Sequence, residues 1–190
     1  MPFAPDWPLE TERLLLRPFV EDDFDAVLAM RSDPEVFRYL YNEPPTADET
    51  REFLRMKIAN ASLSEEGQWL GAAVTLRETG ELVADVVLKW ESVEHRQGEI
   101  GYIVHPAHQG HGYAAEATLP FIRFAFETLG LHRIVGRLDA RNAASARVLE
   151  KLGMRREAHF VENEFVKGEW QSELVYAVLD REWRAARAGA

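Results

Sequence analysis

One short segment, Gln109-Gly110-His111-Gly112-Tyr113-Ala114, constrains what this chain can fold into more than any other. It follows an apolar run from Gly98 to Val104 that His105-Pro106 ends. It precedes a stretch in which Leu119, Ile122, Phe126 and Leu129 share one helical face. A strand therefore passes into a helix through two glycines. Gly110 and Gly112 can take backbone angles closed to other residues and let a ligand approach closely. The first N–H groups of the helix have no partner within it and lie at the positive end of its dipole, so the junction suits a pyrophosphate or another anion. Such a turn alone is weak evidence, because a plain structural loop can have the same pattern. It lacks the Lys-Ser/Thr of a P-loop and the three-glycine dinucleotide fingerprint, which argues against ATP, GTP and NAD.

The elements around this junction alternate in type. Leu9 to Pro18 predicts a short strand, and Glu21 to Met30 an amphipathic helix. Thr46 caps a second helix, with Glu49 completing a capping box and Phe53, Leu54, Met56, Ile58 and Ala61 as apolar positions. Trp69 to Leu76 and Leu82 to Trp90 read as a hairpin, and Gly98 to Val104 as a further strand. The helix after the turn spans about Ala114 to Leu129 and contains Pro120, which should kink it. His132 to Asp139 is a strand, and Asn142 caps a helix that Gly153 ends. Phe160 to Val166 and Leu174 to Leu179 close the chain as a hairpin around Lys167-Gly168. This order predicts one α/β domain over residues 1–190, with a mixed sheet of six or seven strands and helices on both faces.

Composition removes several classes of function. The chain has 190 residues, enough for one full core and short for two. It has no cysteine, which excludes disulfides, thiolate metal sites and a cysteine nucleophile. The formal charge of −10 argues against a nucleic-acid partner and is compatible with a cationic acceptor such as an amine. No stretch approaches the roughly 20 apolar residues of a membrane span, and the first residues lack the pattern of a signal peptide. A soluble, cytoplasmic protein is expected. His105, His108 and His111 are spaced by three, but a loop at that spacing offers no fixed ligand face, and no metal is expected.

Gln109-x-x-Gly112-x-Ala114 is similar to the Gln/Arg-x-x-Gly-x-Gly/Ala motif of the GNAT acyltransferases. The resemblance covers almost the whole chain. Thr11 to Pro18, Asp33-Pro34-Glu35-Val36, Gly112 to Ala117, Asn142 to Met154 and Lys167-Gly168-Glu169-Trp170 resemble the subgroup that acetylates ribosomal-protein alanine and serine N-termini. The resemblance implies a mostly antiparallel GNAT-type sheet, acetyl-CoA as co-substrate and a primary amine as acceptor, either a protein N-terminus or a small molecule. A homodimer is common among such proteins. A module of the same fold that binds acyl-CoA without turning it over is the alternative.

The resemblance also assigns residues. Backbone at Ile103 and Val104 would pair with the pantetheine arm, and Gln109, Gly110, His111, Gly112, Tyr113 and Ala114 would hold the pyrophosphate. Asn142 would reach the pantetheine arm or act as a helix cap alone. An amine must lose a proton before it attacks a thioester. Glu99 is the candidate base: it shares a strand face with Gly101 and Ile103, where an acid is costly unless it is used or paired. An ordinary strand-edge carboxylate is the competing reading. Many relatives carry a Tyr on the last helix that protonates the departing thiolate. Leu149 stands there in this chain, and Ser145 is the nearest hydroxyl, as acid or as backbone cap. Glu116, in the first turn of its helix, reads mainly as structural.

Overall fold

The computed structural model describes residues 2–188. Its centre is an eight-stranded sheet in the order β1-β2-β3-β4-β5-β6-β8-β7. The strands are β1 (Leu9–Glu10), β2 (Leu14–Arg17), β3 (Trp69–Leu76), β4 (Leu82–Ser92), β5 (Gln97–Val104), β6 (Arg133–Asp139), β7 (Arg155–Val166) and β8 (Glu169–Leu179). Every neighbouring pair is antiparallel except β5 and β6. The eighth strand arises because Leu9 to Pro18 is not one strand. Thr11 Oγ1 accepts from the N–H of Leu14 at 3.0 Å, and this side-chain turn folds the segment into a small hairpin.

The helices are α1 (Phe24–Arg31), α2 (Pro34–Phe37), α3 (Ala47–Ala59), α4 (Tyr113–Glu127), α5 (Ala143–Lys151) and α6 (Asp180–Ala188). Side chains alternate across each strand, so the sheet presents two faces to be covered. On one, Leu70, Val86, Leu88, Ile100 and Ile134 pack with Ala117, Phe121 and Ile122 of α4 and with Leu149 of α5. On the other, Phe19, Val27, Met30 and Leu54 gather over Ala73, with Ile103 at the border. The capping box forms as expected: Thr46 Oγ1 accepts from Glu49 N, and Glu49 Oε2 accepts from Thr46 N at 2.7 Å. Helix α4 continues through Pro120. The closing hairpin is longer than the apolar pattern alone indicates. Lys167 (φ 52°) and Gly168 (φ 81°) supply the paired positive angles of a two-residue turn that matches strand twist. Among the described residues, no helix is long and apolar enough to cross a membrane.

The feature that positions the site is the single parallel pairing. Strand β5 meets β6 only through Gln97, Gly98 and Glu99, opposite Arg133, Ile134 and Val135. Beyond Glu99 the two strands part, while β5 stays paired with β4 as far as Val104. The sheet is thus split from Glu99 toward the glycine turn.

Candidate active site

At the far end of the split, Gly110 (φ 81°) and Gly112 (φ 82°) both take left-handed backbone, which explains why glycine occupies them. Gly112 is the N-cap of α4 and offers no side chain to its first N–H groups, so those donors remain open to a ligand. A Cβ built at Gly112 would lie 3.7 Å from Arg13 Nη2 and 3.8 Å from Lys151 Nζ. Two cations from distant parts of the chain therefore flank the helix N-terminus. Arg13 is held there by Glu116, whose carboxylate accepts from Arg13 N, Arg13 Nε and Thr11 Oγ1 at 2.9, 2.8 and 2.6 Å. Arg13 Nη1 also donates to the His111 carbonyl at 3.0 Å. Those hydrogen bonds hold the Glu116 carboxyl below its ordinary value, although its burial pushes the other way. Glu116 is a structural tie between the β1–β2 turn and α4.

The other residues of the turn have defined partners. Gln109 Nε2 donates to the Val104 carbonyl at 3.3 Å, closing the turn onto the end of β5. His111 stacks on Tyr113 at 5.5 Å, and the Arg13 guanidinium lies 4.8 Å from the same Tyr113 ring. His105 Nδ1 accepts from Ala107 N, and His108 Nε2 contacts Glu81 at 2.9 Å. The His105 and His108 rings meet edge to face at 5.7 Å. Ala114 is buried in the first turn of α4, and Ile103 and Val104 line the open side of β5.

Glu99 stands where the split begins. Its side chain opens into a cleft of about 610 Å³ that also contains Glu91, Glu164, Glu173, Lys89 and Arg137. Arg137 lies between two acids, its Nε 3.4 Å from Glu99 Oε2 and its Nη1 3.4 Å from Glu173 Oε2. Burial pushes the Glu99 carboxyl above its ordinary value, and Arg137 only partly counteracts this. A carboxylate whose pKa is raised in this way accepts a proton more readily than one in water.

On the opposite face of the split, Asn142 Oδ1 accepts from Ser145 N at 3.0 Å, so its carbonyl oxygen caps α5. Ser145 Oγ lies 2.9 Å from the hydroxyl of Tyr102. Leu149 is buried against β6, where a Cβ on Gly136 would come within 2.8 Å of its Cδ1. Gly136 thus makes room for the Leu149 side chain against β6. The hydroxyls that meet on this side of the split are those of Tyr102 on β5 and Ser145 on α5.

The structure thus brings the sequence-assigned residues to one split in the sheet. The glycine turn lies at its mouth, Ile103 and Val104 along its edge, Glu99 on one face and Ser145 on the other. Arg13, Lys151, Tyr102 and Arg137 join them without having been singled out. For Arg13 and Tyr102 the signal lay only in contacts spanning 98 and 43 residues.

A family model for the acetyltransferase (GNAT) domain matches residues 13–155. The chain is 33% identical to the uncharacterized N-acetyltransferase YnaD of Bacillus subtilis (strain 168), over 92% of this chain and 98% of that one. It is 30% identical to the FsC-acetyl coenzyme A-N(2)-transacetylase of Aspergillus fumigatus, over 92% of this chain and 77% of that one. Among solved structures, a GNAT-family acetyltransferase from Bacillus anthracis superposes with a TM-score of 0.82 at 32% identity, covering 92% of this chain and 99% of that one. With the split sheet, the glycine turn and this match over most of its length, the chain belongs to the GNAT acetyltransferase family.

Proposed function

We propose that the protein transfers an acetyl group from acetyl-CoA to a primary amine by direct attack within a ternary complex. One observation carries the reading: the sheet splits at Glu99, so a raised-pKa carboxylate and a Tyr102–Ser145 hydroxyl pair face one gap from opposite sides. The residues at the turn fit the coenzyme. Arg13, Lys151 and the first N–H groups of α4 form a cationic cradle for a pyrophosphate, and Gly112 leaves the space open. The unpaired edge of β5 at Ile103 and Val104 would hold the pantetheine arm as a neighbouring strand is held.

In this reading the thioester supplies an activated acyl group, whose C–S bond breaks as the C–N bond to the amine forms. Glu99 takes the proton that the acceptor nitrogen loses, directly or through a water. Burial raises the Glu99 pKa, and the Arg137 guanidinium 3.4 Å away opposes that rise and favours the ionised form that can accept the proton. Ser145 donates a proton toward the sulfur side, with Tyr102 setting the direction of its O–H. The two faces hold the reactants in register, and that positioning supplies much of the acceleration.

The test is release of free thiol from acetyl-CoA across a panel of primary amines, with coenzyme A binding measured separately by calorimetry. Thiol release that depends on an amine supports the assignment. Tight coenzyme binding with no thiol release from any amine would instead indicate an acyl-CoA sensor.

A further inference from the structure

We infer that a second, smaller cleft beside Glu99 is the compartment that receives a carboxylate at the far end of the acceptor, with Arg31 as its anion-binding residue. The cleft has a volume of about 230 Å³, and its lining includes Arg31, Phe53, Lys57, Trp69 and Asp85, with Tyr102 at its border. It lies on the sheet face that carries Glu99. Strand registers set Trp69 opposite Lys89, Lys89 opposite Glu99, and Asp85 opposite Ile103. Pockets for drug-sized molecules run to about 300–1,000 Å³, so a cleft of this size takes one end of a molecule rather than the whole.

The charges in the cleft do not balance. Lys57 and Asp85 satisfy each other at 2.7 Å, both almost completely buried. Arg31, the last residue of α1, has no hydrogen bond or ion pair among the described residues, and its Nε is buried without a partner. Aromatic contacts hold it instead, with its guanidinium 3.7 Å from the Phe53 ring and 5.2 Å from that of Phe37. Burial weakens its hold on its proton, and only the field of Asp85 opposes this. A partly desolvated cation without a counter-ion is costly, and a ligand that brings one relieves that cost. The planar fork of a guanidinium matches a carboxylate through two parallel hydrogen bonds.

The inference rests on the acetyl-transfer reading, which places the reacting amine in the acidic cleft around Glu99. The two compartments then oppose each other in sign: at the amine end four carboxylates outnumber Lys89 and Arg137, and at the other end Arg31 has no ion-pair partner among the described residues. An acceptor that fits both has an amine at one end, an apolar or aromatic body beside Phe53 and Trp69, and a carboxylate at the end remote from the amine. A polyamine would instead place a second ammonium against Arg31.

The probes are 3-phenylpropionate and its uncharged amide, titrated calorimetrically into the wild type, Arg31→Gln and Arg31→Lys, with and without coenzyme A. The carboxylate is expected to bind wild type at least about tenfold more tightly than the amide. Arg31→Gln should abolish that preference, and Arg31→Lys should retain part of it, each variant being checked for an intact thermal transition. With acceptor amines, the KM advantage of carboxylate-bearing members over their amides should vanish in Arg31→Gln. Equal binding of acid and amide, no binding of either, or an unchanged preference in Arg31→Gln overturns the inference. Failure of acetyl transfer itself would appear as no thiol release, and the titrations without coenzyme would remain readable.

Discussion

The hydroxyl of Tyr102 lies 2.9 Å from Ser145 Oγ and 3.0 Å from the carbonyl oxygen of the same residue. Burial pushes the Tyr102 phenol up to about 12, against a partial offset from Ser145, so it keeps its proton at neutral pH. Its single proton has two acceptors in reach. Donated to Ser145 Oγ, it leaves the serine proton free for the sulfur side. Donated to the carbonyl, it draws the serine proton back onto the phenol oxygen.

A relay of this kind predicts coupling between the two hydroxyls. Tyr102→Phe and Ser145→Ala should each lower kcat by less than about a hundredfold, because a thiolate is a good leaving group. The double variant should lose no more than the worse single one, since both changes break the same path. Turnover and melting temperature measured on all four proteins check this. Additive losses in rate would mean that the hydroxyls act separately.

Gly112→Asp should abolish coenzyme A binding while leaving a folded protein. At φ 82° any side chain is strained, and a carboxylate there would reach Arg13 and Lys151 within the chain. The cradle would then be neutralised by the protein itself. Calorimetry is expected to show at least about a hundredfold loss of coenzyme affinity. Retained affinity would move the pyrophosphate site elsewhere.

Glu99→Gln should slow turnover by about 10²–10⁴-fold and raise the melting temperature at neutral pH. Its pKa is raised in the fold, so the folded protein binds more protons than the unfolded chain just above the ordinary carboxyl range. Whatever stability Glu99 contributes is present below its unfolded pKa and is lost as pH rises through the folded value. At neutral pH the carboxylate is therefore a net cost, and glutamine removes it. In the wild type, kcat/KM should fall as pH drops through the same raised value. Rate–pH profiles and thermal melts of the two proteins test both halves.

Much of this was legible because it is local. The Thr46–Glu49 capping box and the Gly110/Gly112 turn depend on residues a few positions apart, and both formed as the sequence indicates. Leu9 to Pro18 misled as one strand because the Thr11 turn lies between two apolar runs too short to register separately. On α3 the apolar pattern pointed to Met56, which is 44% exposed, while its neighbour Lys57 turns inward. A lysine carries no sign in a single sequence that it will be buried. The clue lay 28 residues away, where Asp85 interrupts the run Leu82-Val83-Ala84 and Val86-Val87-Leu88. The phosphate-side cations were hidden for the same reason, since Arg13 and Lys151 meet only after the sheet has formed.

Lys57 Nζ and Asp85 Oδ1 meet at 2.7 Å, with side chains only 4% and 6% exposed. The rings of Phe53 and Trp69 surround the ammonium at 5.1 and 4.9 Å, and Gly71 makes room for its stem, since a Cβ there would come 2.9 Å from Lys57 Cδ. Burial pulls the Lys57 pKa down, and Asp85 pulls it back. Each charge is tolerated only because of the other. Asp85→Asn leaves the buried ammonium without a counter-ion and should cost about 3–5 kcal/mol, whereas Lys57→Met should cost less, because Arg31 in the same cleft can take over part of the compensation of Asp85. Replacing both removes the desolvation penalty along with the attraction. The Lys57→Met, Asp85→Asn double variant should therefore recover a large part of what Asp85→Asn alone loses. Denaturant unfolding of the four proteins measures this directly. Because the pair also lines the cleft that holds Arg31, Lys57→Met would leave Asp85 free to pair with Arg31. In that variant the preference for a carboxylate ligand should disappear even though Arg31 is unchanged. A Lys57→Met protein that unfolds like wild type and still prefers the carboxylate would show that Asp85 does not set the charge of the cleft.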